Sequence, residues 1–425
     1  MTVSFEEGCA SLGKLVGEAM GQLDVPGVAV AIHRDGQDYV EGFGVTSVEH
    51  PLPVDGQTLF QVGSTTKTLT ALVALRLVEG GRADLDEPVR SYLPDLELAS
   101  PEVTEGVTLR HLLTHTAGFD GDLFDDFGPG DDALARAVDA MRNLPQITPL
   151  GEVWNYNNAG FNLAGRVIEA ITDTTFERAV ADVVLEPLDL TRSFFLASDC
   201  ITHRVAAGHA VTQDGPVVLR PWQLPRAINP AGGLISCAED QLAYARFHLG
   251  DGTAPDGTRL FDRDTLVGMR EPQIEAGGGR AAYGGLSWLI QRTPGLLAHG
   301  GSTIGQESAF VVVPDHGFAM TVLTNADRGV VLQREVTKWA LRNLVDLERP
   351  SSTQTPVSAG ELDRFIGRFH ALHADLIIER DGDGVTLCME PGALTHEELS
   401  RPLPPVPVEV YDDGGCKILE GPQVG

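Results

Sequence analysis

Phe60-Gln61-Val62-Gly63-Ser64-Thr65-Thr66-Lys67 is followed by Thr68-Leu69-Thr70-Ala71-Leu72-Val73-Ala74-Leu75-Arg76-Leu77-Val78-Glu79 and then by Gly80-Gly81. Apolar residues recur in this stretch at helical spacing, and most of the other positions are good helix formers. The glycine pair is a helix stop signal. We therefore predict a helix with Ser64 at or near its first turn and Lys67 one turn further on the same face.

This pairing has a chemical use, because a serine hydroxyl is a poor nucleophile until a base takes its proton. A buried lysine can lose its charge, since desolvation lowers its pKa. The N-terminus of the helix also offers backbone N–H groups to a developing oxyanion. The alternative is a serine that caps the helix and a solvated lysine, because such four-residue patterns are common by chance. Other segments must decide between the two.

Composition limits the classes of function. The chain has 425 residues, 42% of them hydrophobic, so it is long enough for one large catalytic domain and a small one. The net charge of −29 argues against nucleic acid or an anionic membrane as a partner, because no basic patch is present to neutralise phosphates.

The N-terminal residues contain no basic start and no apolar run, so we expect no signal peptide and no membrane span. The cysteines are scattered, odd in number and without a Cys-x-x-Cys site: Cys9, Cys200, Cys237, Cys388 and Cys416. This pattern favours a reduced, cytoplasmic compartment.

Apolar patterns near both ends of the first 348 residues predict matching elements. We expect a helix over 5–22, strands over 27–33 and 38–44, strands over 307–313 and 318–323, and a closing helix over 331–347. Asp84-Leu85-Asp86-Glu87-Pro88-Val89 is predicted to begin a further helix, because acidic residues favour the positive end of a helix dipole.

Two further segments carry side chains suited to acyl transfer. Tyr156 and Asn158 precede an apolar helical pattern, and His299-Gly300-Gly301 lies near a strand. A loop tyrosine is usually a packing residue, but beside a lysine it can carry a proton. Asn158 can fix a substrate amide or hold Lys67. Two glycines beside a strand let a ligand approach the backbone, which would make His299 a pocket residue.

His111 and His115 are four residues apart, which invites a metal hypothesis. We expect structural histidines and no metal site, because Leu112 stands where a zinc protease needs glutamate. The segment from Asp120 to Asp132 is rich in Asp, Gly and Phe, and we predict a loop near the site.

Residues 349–358 have the composition of a linker. Beyond them, residues 359–425 show short strand patterns and predict a small β-rich domain. This tail is too short for a closed eight-stranded barrel.

In chain order, Ser64-x-x-Lys67, Tyr156-x-Asn158 and His299-Gly300-Gly301 resemble the motifs of the penicillin-recognising serine hydrolases. His111-Leu-Leu-Thr-His-Thr-Ala-Gly118 and Gly232-Gly233-Leu234 lie between them and add to the resemblance, which covers residues 10–345. The branch most similar is the class C β-lactamase type, with its D,D-peptidases, D-aminopeptidases and esterases.

The resemblance implies an α/β (α+β) fold: an antiparallel sheet flanked by helices, with an all-helical subdomain over about 85–230, together making a catalytic domain over 1–348. It implies that Ser64 is the acylated nucleophile and that Lys67 and Tyr156 share the proton shuttle. Asn158 would orient the lysine and the substrate amide. The backbone N–H groups of Ser64 and Ser302 would form the oxyanion hole, with Gly300 and Gly301 beside the substrate.

Two positions depart from the motifs of the family. Asn157 replaces the commoner serine, which changes little because that side chain is not the proton carrier. His299 stands where many relatives have lysine, and an imidazole is a poorer fixed partner for a carboxylate than an ammonium. This weakens the case for action on antibiotics and makes His299 a candidate acid or base.

These features favour a peptide or small-molecule ester, amide or thioester as acyl donor, with no cofactor. They also resemble the penicillin-binding-protein-type thioesterases that release and cyclise nonribosomal peptides, which carry a histidine here and a lipocalin-like tail. We therefore expect an intracellular hydrolase of D-residue peptides or such a macrocyclising thioesterase, which would take a peptidyl thioester from a carrier protein. The alternatives are a broad esterase or β-lactamase-like hydrolase, and a non-catalytic binding or sensor protein on the same fold.

Overall fold

The computed structural model describes residues 4–277, 281–293, 295–348, 355–370, 374–391, 403–412 and 416–419. The chain divides into two units, one of residues 1–276 with 281–349 and the other of residues 277–280 with 350–425. Residues 349–354 of the predicted linker lie outside the described residues, as do 371–373, 392–402, 413–415 and 420–425 of the predicted C-terminal domain.

The described strands, in chain order, are β1 Gly27–Arg34, β2 Gln37–Gly44, β3 Phe60–Gln61, β4 His209–Thr212, β5 Gly215–Val218, β6 Ile235–Ser236, β7 Ile274–Glu275, β8 Tyr283–Gly284, β9 Leu289–Ile290, β10 Leu297–Ser302, β11 Glu307–Val313, β12 Phe318–Thr324, β13 Gly367–His370, β14 Ala374–Asp381, β15 Gly384–Pro391, β16 Leu403–Val410 and β17 Cys416–Ile418.

The described α-helices are α1 Phe5–Leu23, α2 Thr66–Glu79, α3 Pro101–Gly106, α4 Leu109–Leu113, α5 Ala133–Ala140, α6 Asn158–Thr172, α7 Phe176–Val180, α8 Ala197–Cys200, α9 Asn229–Gly232, α10 Ala238–Leu249, α11 Arg263–Gly268 and α12 Gly329–Val345. Short 3₁₀ turns lie at Gly63–Thr65, Val89–Ser91, Met141–Asn143, Arg226–Ile228, Pro314–His316 and Ala359–Phe365, and a π turn lies at Ala181–Leu185.

The predicted sheet built from both chain ends is confirmed. Among the described residues it has eight antiparallel strands in the order β2-β1-β12-β11-β10-β9-β8-β7. Alternate residues of β1 enter two different cores, since Val28, Val30 and Ile32 pack with α1 and α12. Ala29 and Ala31 lie on the other face, in the larger core, where α10 packs on β1. Helices on both faces explain why β1 reads as a continuous apolar run.

Helix α2 is the central helix of the larger core. Every residue from Thr66 to Leu75 is buried, so α2 is surrounded by protein and has no broad solvent face. Just before it, Phe60 pairs with Ser236 in the two-stranded ladder β3–β6, which fixes the entry to the Ser64 turn.

Two predictions about the region 85–230 were wrong. It is not all helical, because β4 and β5 form a hairpin over 209–218. The turn between them contains Asp214-Gly215, a dipeptide typical of two-residue hairpins. The predicted helix beginning at Asp84 is also absent from the described residues, and a 3₁₀ turn over Val89–Ser91 stands there instead. Pro88 favours extended backbone in the preceding residue and so blocks an earlier start.

The C-terminal unit contains, in its described residues, five antiparallel strands in sequential order from β13 to β17. One face packs alternate residues of β15 and β16, namely Val385 and Leu387 with Val406, Val408 and Val410. This period-2 pattern is what a half-buried sheet requires.

Candidate active site

The Ser64 hydroxyl and the Lys67 amine are brought together by a change of helix type. Ser64 lies in the 3₁₀ turn Gly63–Thr65, and α2 begins at Thr66. Lys67 Nζ is 3.1 Å from Ser64 Oγ. Lys67 is fully buried, whereas Ser64 is half-buried. The solvated-lysine alternative is therefore wrong.

Two carbonyl oxygens hold the Lys67 amine. Nζ donates to Asn158 Oδ1 at 2.7 Å and to the backbone oxygen of Ala231 at 2.6 Å. Burial lowers the Lys67 pKa well below its ordinary value, and the negative charge of Asp122 opposes part of that shift. A neutral amine has two N–H bonds and one lone pair. In the structure Nζ also donates to Ser64 Oγ; once Nζ loses a proton, the two carbonyls, which only accept, keep its two remaining hydrogens and leave the lone pair for the Ser64 hydroxyl.

Asn158 reaches Lys67 because it is the first residue of α6. The side chain of Asn157 caps this helix by accepting from Gly160 N at 2.6 Å, and its Nδ2 donates to the Phe119 oxygen at 2.6 Å. The departure at Asn157 thus has a structural use, since its two ends tie the helix start to a neighbouring segment.

Tyr156 packs beside the lysine, between aromatic neighbours. Lys67 Nζ lies 4.9 Å from the centroid of the Tyr156 ring. The ring stacks on His115 with centroids 4.5 Å apart, and lies 6.4 Å from the His299 ring. The structure therefore places Tyr156 next to Lys67, as the motif predicts.

His299 lies on β10 and is 1% exposed, so its protonation state is set by the protein. Its Nδ1 is 2.9 Å from the backbone oxygen of Gly300. Because a carbonyl only accepts, Nδ1 carries the hydrogen and Nε2 carries a lone pair. Nε2 is buried and has no hydrogen-bond partner among the described residues.

The charge state of His299 follows from the same burial. Desolvation, with a smaller effect from the charge of Lys67, lowers the His299 pKa to about 3. The imidazole is therefore neutral near pH 7. It presents a hydrogen-bond acceptor where a lysine would present a cation.

The backbone around Ser64 N touches the end of β10. A Cβ added to Gly301 would lie 2.1 Å from the Val62 oxygen and 2.5 Å from Ser64 N. A Cβ on Gly63, whose φ is +53°, would lie 2.9 Å from Ser302 N. The two N–H groups predicted for the oxyanion hole thus belong to backbone segments in contact.

The glycines of the His299-Gly300-Gly301 motif have a packing role as well. The Cβ position of Gly301 is filled by the Ser64 turn itself, and a Cβ on Gly300 would lie 2.8 Å from the Ser308 oxygen. We predicted that the missing side chains make room for a ligand. The space that a Cβ would occupy at these two glycines is instead taken by neighbouring backbone atoms of the protein.

Sequence reasoning missed three contributors to the site. The Ala231 carbonyl carries no side-chain signal. His115, treated above only as structural, accepts from Asn157 N at 2.9 Å while its ring supports Tyr156. Asp122 lies in the predicted loop and accepts from Asn158 Nδ2 at 3.3 Å. Its one sequence signal was the acidic composition of that loop.

His111 and His115 form no metal site within the described part of the chain, where no three His, Cys, Asp or Glu side chains gather as a metal would require. Nδ1 of His111 instead accepts from Thr108 N at 3.2 Å and completes the cap of α4.

The Beta-lactamase family matches residues 12–342 of the sequence. The chain belongs to the Beta-lactamase family. This Beta-lactamase family member is a serine hydrolase, and the predicted resemblance and reaction class are confirmed.

Individual relatives of this Beta-lactamase family member include penicillin-binding protein 4 of Amycolatopsis lactamdurans. The two are 32% identical over 346 residues, which cover 80% of this chain and 91% of the relative. Protein flp of Staphylococcus aureus strain N315 is 23% identical over 327 residues, covering 74% of this chain and 62% of flp. The chain thus spans less than two thirds of the length of flp.

Solved structures share the fold of this Beta-lactamase family member. SurE superposes with a TM-score of 0.74 at 24% identity, covering 98% of this chain and 92% of SurE, and SurE has also been solved with D-Leu. The octameric penicillin-binding protein homologue from Pyrococcus abyssi gives 0.69 at 25% identity, covering 98% and 94%. A class C β-lactamase from Rhodobacter sphaeroides gives 0.65 at 22% identity, covering 79% and 99%.

No helix in the described part of this Beta-lactamase family member is long and apolar enough to cross a membrane. The cytoplasmic compartment stays a prediction.

Proposed function

We propose that the chain is an acyltransferase that forms an acyl-enzyme on Ser64 and passes the acyl group to water or to an amine. One observation carries the proposal. Lys67 Nζ lies 3.1 Å from Ser64 Oγ and donates to Asn158 Oδ1 and to the Ala231 oxygen, so in its neutral form both hydrogens stay on those carbonyls and the lone pair is left for Oγ. An amine prepared in this way is a general base for the hydroxyl.

In the acylation step, Lys67 accepts the Ser64 proton while Oγ attacks the substrate carbonyl carbon. The oxygen that becomes negative accepts hydrogen bonds from the N–H groups of Ser64 and Ser302. The tetrahedral adduct then expels the alcohol, thiol or amine, which leaves with the proton that Lys67 received. Tyr156, beside Lys67, is the proposed relay for that proton, and Asn158 holds the amine and the substrate amide.

In the second step, water or an amine attacks the acyl carbonyl carbon and loses a proton to Lys67, the bond between the acyl carbon and Ser64 Oγ breaks, and Oγ takes that proton back from Lys67. A neutral His299 with a lone pair on Nε2 is suited to accept a hydrogen bond from such an N–H or O–H group. A fixed cation would repel an approaching ammonium and would favour a carboxylate. Because His299 accepts hydrogen bonds and carries no positive charge, it favours an amine as the nucleophile of the second step. For the same reason it disfavours a carboxylate-bearing antibiotic as the acyl donor.

For the acyl donor we propose a peptide with a C-terminal D-residue, as an ester or thioester, on a small leaving group or a carrier protein. The products would be the linear acid or, by attack of the peptide's own amine, a macrocycle. SurE, which shares the fold, has been solved with D-Leu, and this makes D-residues the first choice for a test. A broad esterase is the second candidate, supported by the half-buried, accessible position of Ser64.

Product analysis tests the proposal. A peptidyl thioester ending in a D-residue, its L-residue counterpart and a p-nitrophenyl ester are each incubated with wild type and with Ser64→Ala. We expect Ser64-dependent turnover of the D-thioester, with a cyclic product for a cyclase and a linear acid for a hydrolase. Turnover of the simple ester alone would favour the esterase. Equal turnover by Ser64→Ala would contradict the proposal.

A further inference from the structure

Asp122 is fixed in place by the backbone around it. The Gly121 oxygen, one residue before it, accepts from the N–H groups of Asn158 at 3.1 Å and Ala159 at 2.9 Å. The Asn157 side chain holds the Phe119 oxygen on the same segment. A Cβ on Gly121 would lie 2.8 Å from the Asn157 Cα, so this close approach requires glycine. The segment 119–122 is therefore docked on the first turn of α6.

This docking gives the Asn158 amide a different partner at each end. Nδ2 donates to Asp122 Oδ1 at 3.3 Å, and Oδ1 accepts from Lys67 Nζ at 2.7 Å. An ionised carboxylate only accepts, so it pairs with the NH₂ end of the amide alone. A flipped amide would set oxygen against oxygen at Asp122 and N–H against N–H at Lys67.

Asp122 also acts on Lys67 through its charge. Tyr156, His115 and His299 are titratable side chains beside the amine, and burial lowers the pKa of both histidines, so both are neutral near pH 7. Burial lowers the Lys67 pKa, and the negative charge of Asp122 raises it. The carboxylate thus moderates the effect of burial.

We propose that Asp122 is a positioning residue for the reaction: its carboxylate holds the Asn158 amide with the amide oxygen toward Lys67 and presents its negative charge to the amine across that amide. The inference rests on the proposed function, because it assigns a role to Asp122 only if Lys67 activates Ser64.

Two substitutions separate the hydrogen bond from the charge. Asp122→Asn keeps a carbonyl oxygen that can accept from Asn158 Nδ2 and removes the charge. Asp122→Ala removes both. Asp125→Asn, at an exposed position of the same acidic loop, is the matched control. Thermal unfolding of each variant verifies that it is folded.

The readout is the rate at which a fluorophosphonate labels Ser64, followed by intact mass as a function of pH. Without the charge, the Lys67 ammonium is less stable, so the acid limb of the Asp122→Asn profile should move about 1 unit to lower pH. Asp122→Ala should label at least about tenfold more slowly at the plateau, since the amide loses its orientation. Asp125→Asn should match wild type.

A folded Asp122→Asn with the wild-type profile and a folded Asp122→Ala with the wild-type rate would overturn the inference alone. If wild type itself is not labelled while a known serine hydrolase is, the proposed function fails and takes the inference with it. If Asp122→Ala does not fold, the profile of Asp122→Asn decides.

Discussion

Lys67 Nζ lies 3.1 Å from Ser64 Oγ, although Ser64 belongs to a 3₁₀ turn and Lys67 to the α-helix that follows it. The amine is also held by Asn158 and Ala231, which come from elements far away in the chain. Its position is thus set by tertiary structure as well as by the spacing of three residues. The hydroxyl and the amine form the centre on which the following predictions depend.

Replacing Lys67 tests its role as a base. Lys67→Ala should lower the turnover of a p-nitrophenyl ester by at least about 100-fold, the usual cost of losing a general base. Lys67→Met removes the amine but fills a similar volume, so it separates the loss of the base from the effect of a cavity. Wild-type turnover by either folded variant would refute the assigned role.

Substitution of Gly301 tests the contact between the two backbone segments. Gly301→Ala places a methyl group 2.1 Å from the Val62 oxygen and 2.5 Å from Ser64 N, so the Ser64 turn must move. We expect acylation of Ser64 to fall by at least about 100-fold, since small displacements are costly at a reacting centre. Gly268→Ala, where nothing lies within 4 Å of the new carbon, should leave the rate unchanged. Equal rates in the two variants would count against the contact.

The rate of acylation by a penicillin tests whether His299 is neutral. A penicillin carries a carboxylate, and the imidazole acceptor gives it no ion pair. His299→Lys should therefore raise the rate of acylation by a penicillin at least about tenfold over His299→Gln, the equivalent of one charge-assisted hydrogen bond. Stopped-flow measurement of acyl-enzyme formation checks this, and no difference between the two variants would contradict it.

The pH dependence of stability tests the buried imidazole in another way. The pKa of His299 is about 3 in the folded chain against an ordinary value of 6.5, so the unfolded state binds the proton first as the pH falls. Stability from this group is present above pH 6.5 and is lost as the pH falls toward 3. On going from pH 7 to pH 5, His299 alone should cost about 2 kcal/mol of unfolding free energy.

Urea unfolding of wild type and His299→Gln at both pH values measures that difference. His115 and His248 are also buried with lowered pKa values and destabilise both proteins equally. The loss between the two pH values should therefore be smaller in the variant. The same loss in both proteins would show that His299 does not titrate as the structure requires.

The parts of the site that sequence could predict are those that depend on local spacing. Ser64, in the 3₁₀ turn, and Lys67, in the first turn of α2, are three residues apart, so their proximity could be predicted from the spacing. The strands contributed by the two ends of the chain could be predicted, because β1 and β12 are continuous apolar runs between turn signals. The motifs around Tyr156, Asn158 and His299 could be named, but only their order in the chain, not their distances, was available.

The rest depends on contacts between distant segments. The Ala231 carbonyl belongs to the backbone, so the residue type at this position gives no sign that it accepts a hydrogen bond from Lys67. Asp122 gained its partner because Gly121 docks on α6, and the tautomer of His299 is set by the carbonyl of Gly300. The hairpin of β4 and β5 lies within a region that the family resemblance predicts to be helical, and the Asp-Gly turn is its one strong signal in the sequence.

The most direct test of the central claim is the mass of the protein after reaction with a fluorophosphonate, followed by peptide mapping. We predict one adduct, on Ser64, in wild type and none in Ser64→Ala, with formation slowed at least about 100-fold in Lys67→Ala. An unlabelled wild type, or an adduct that forms as fast without Ser64 or without Lys67, would contradict the account.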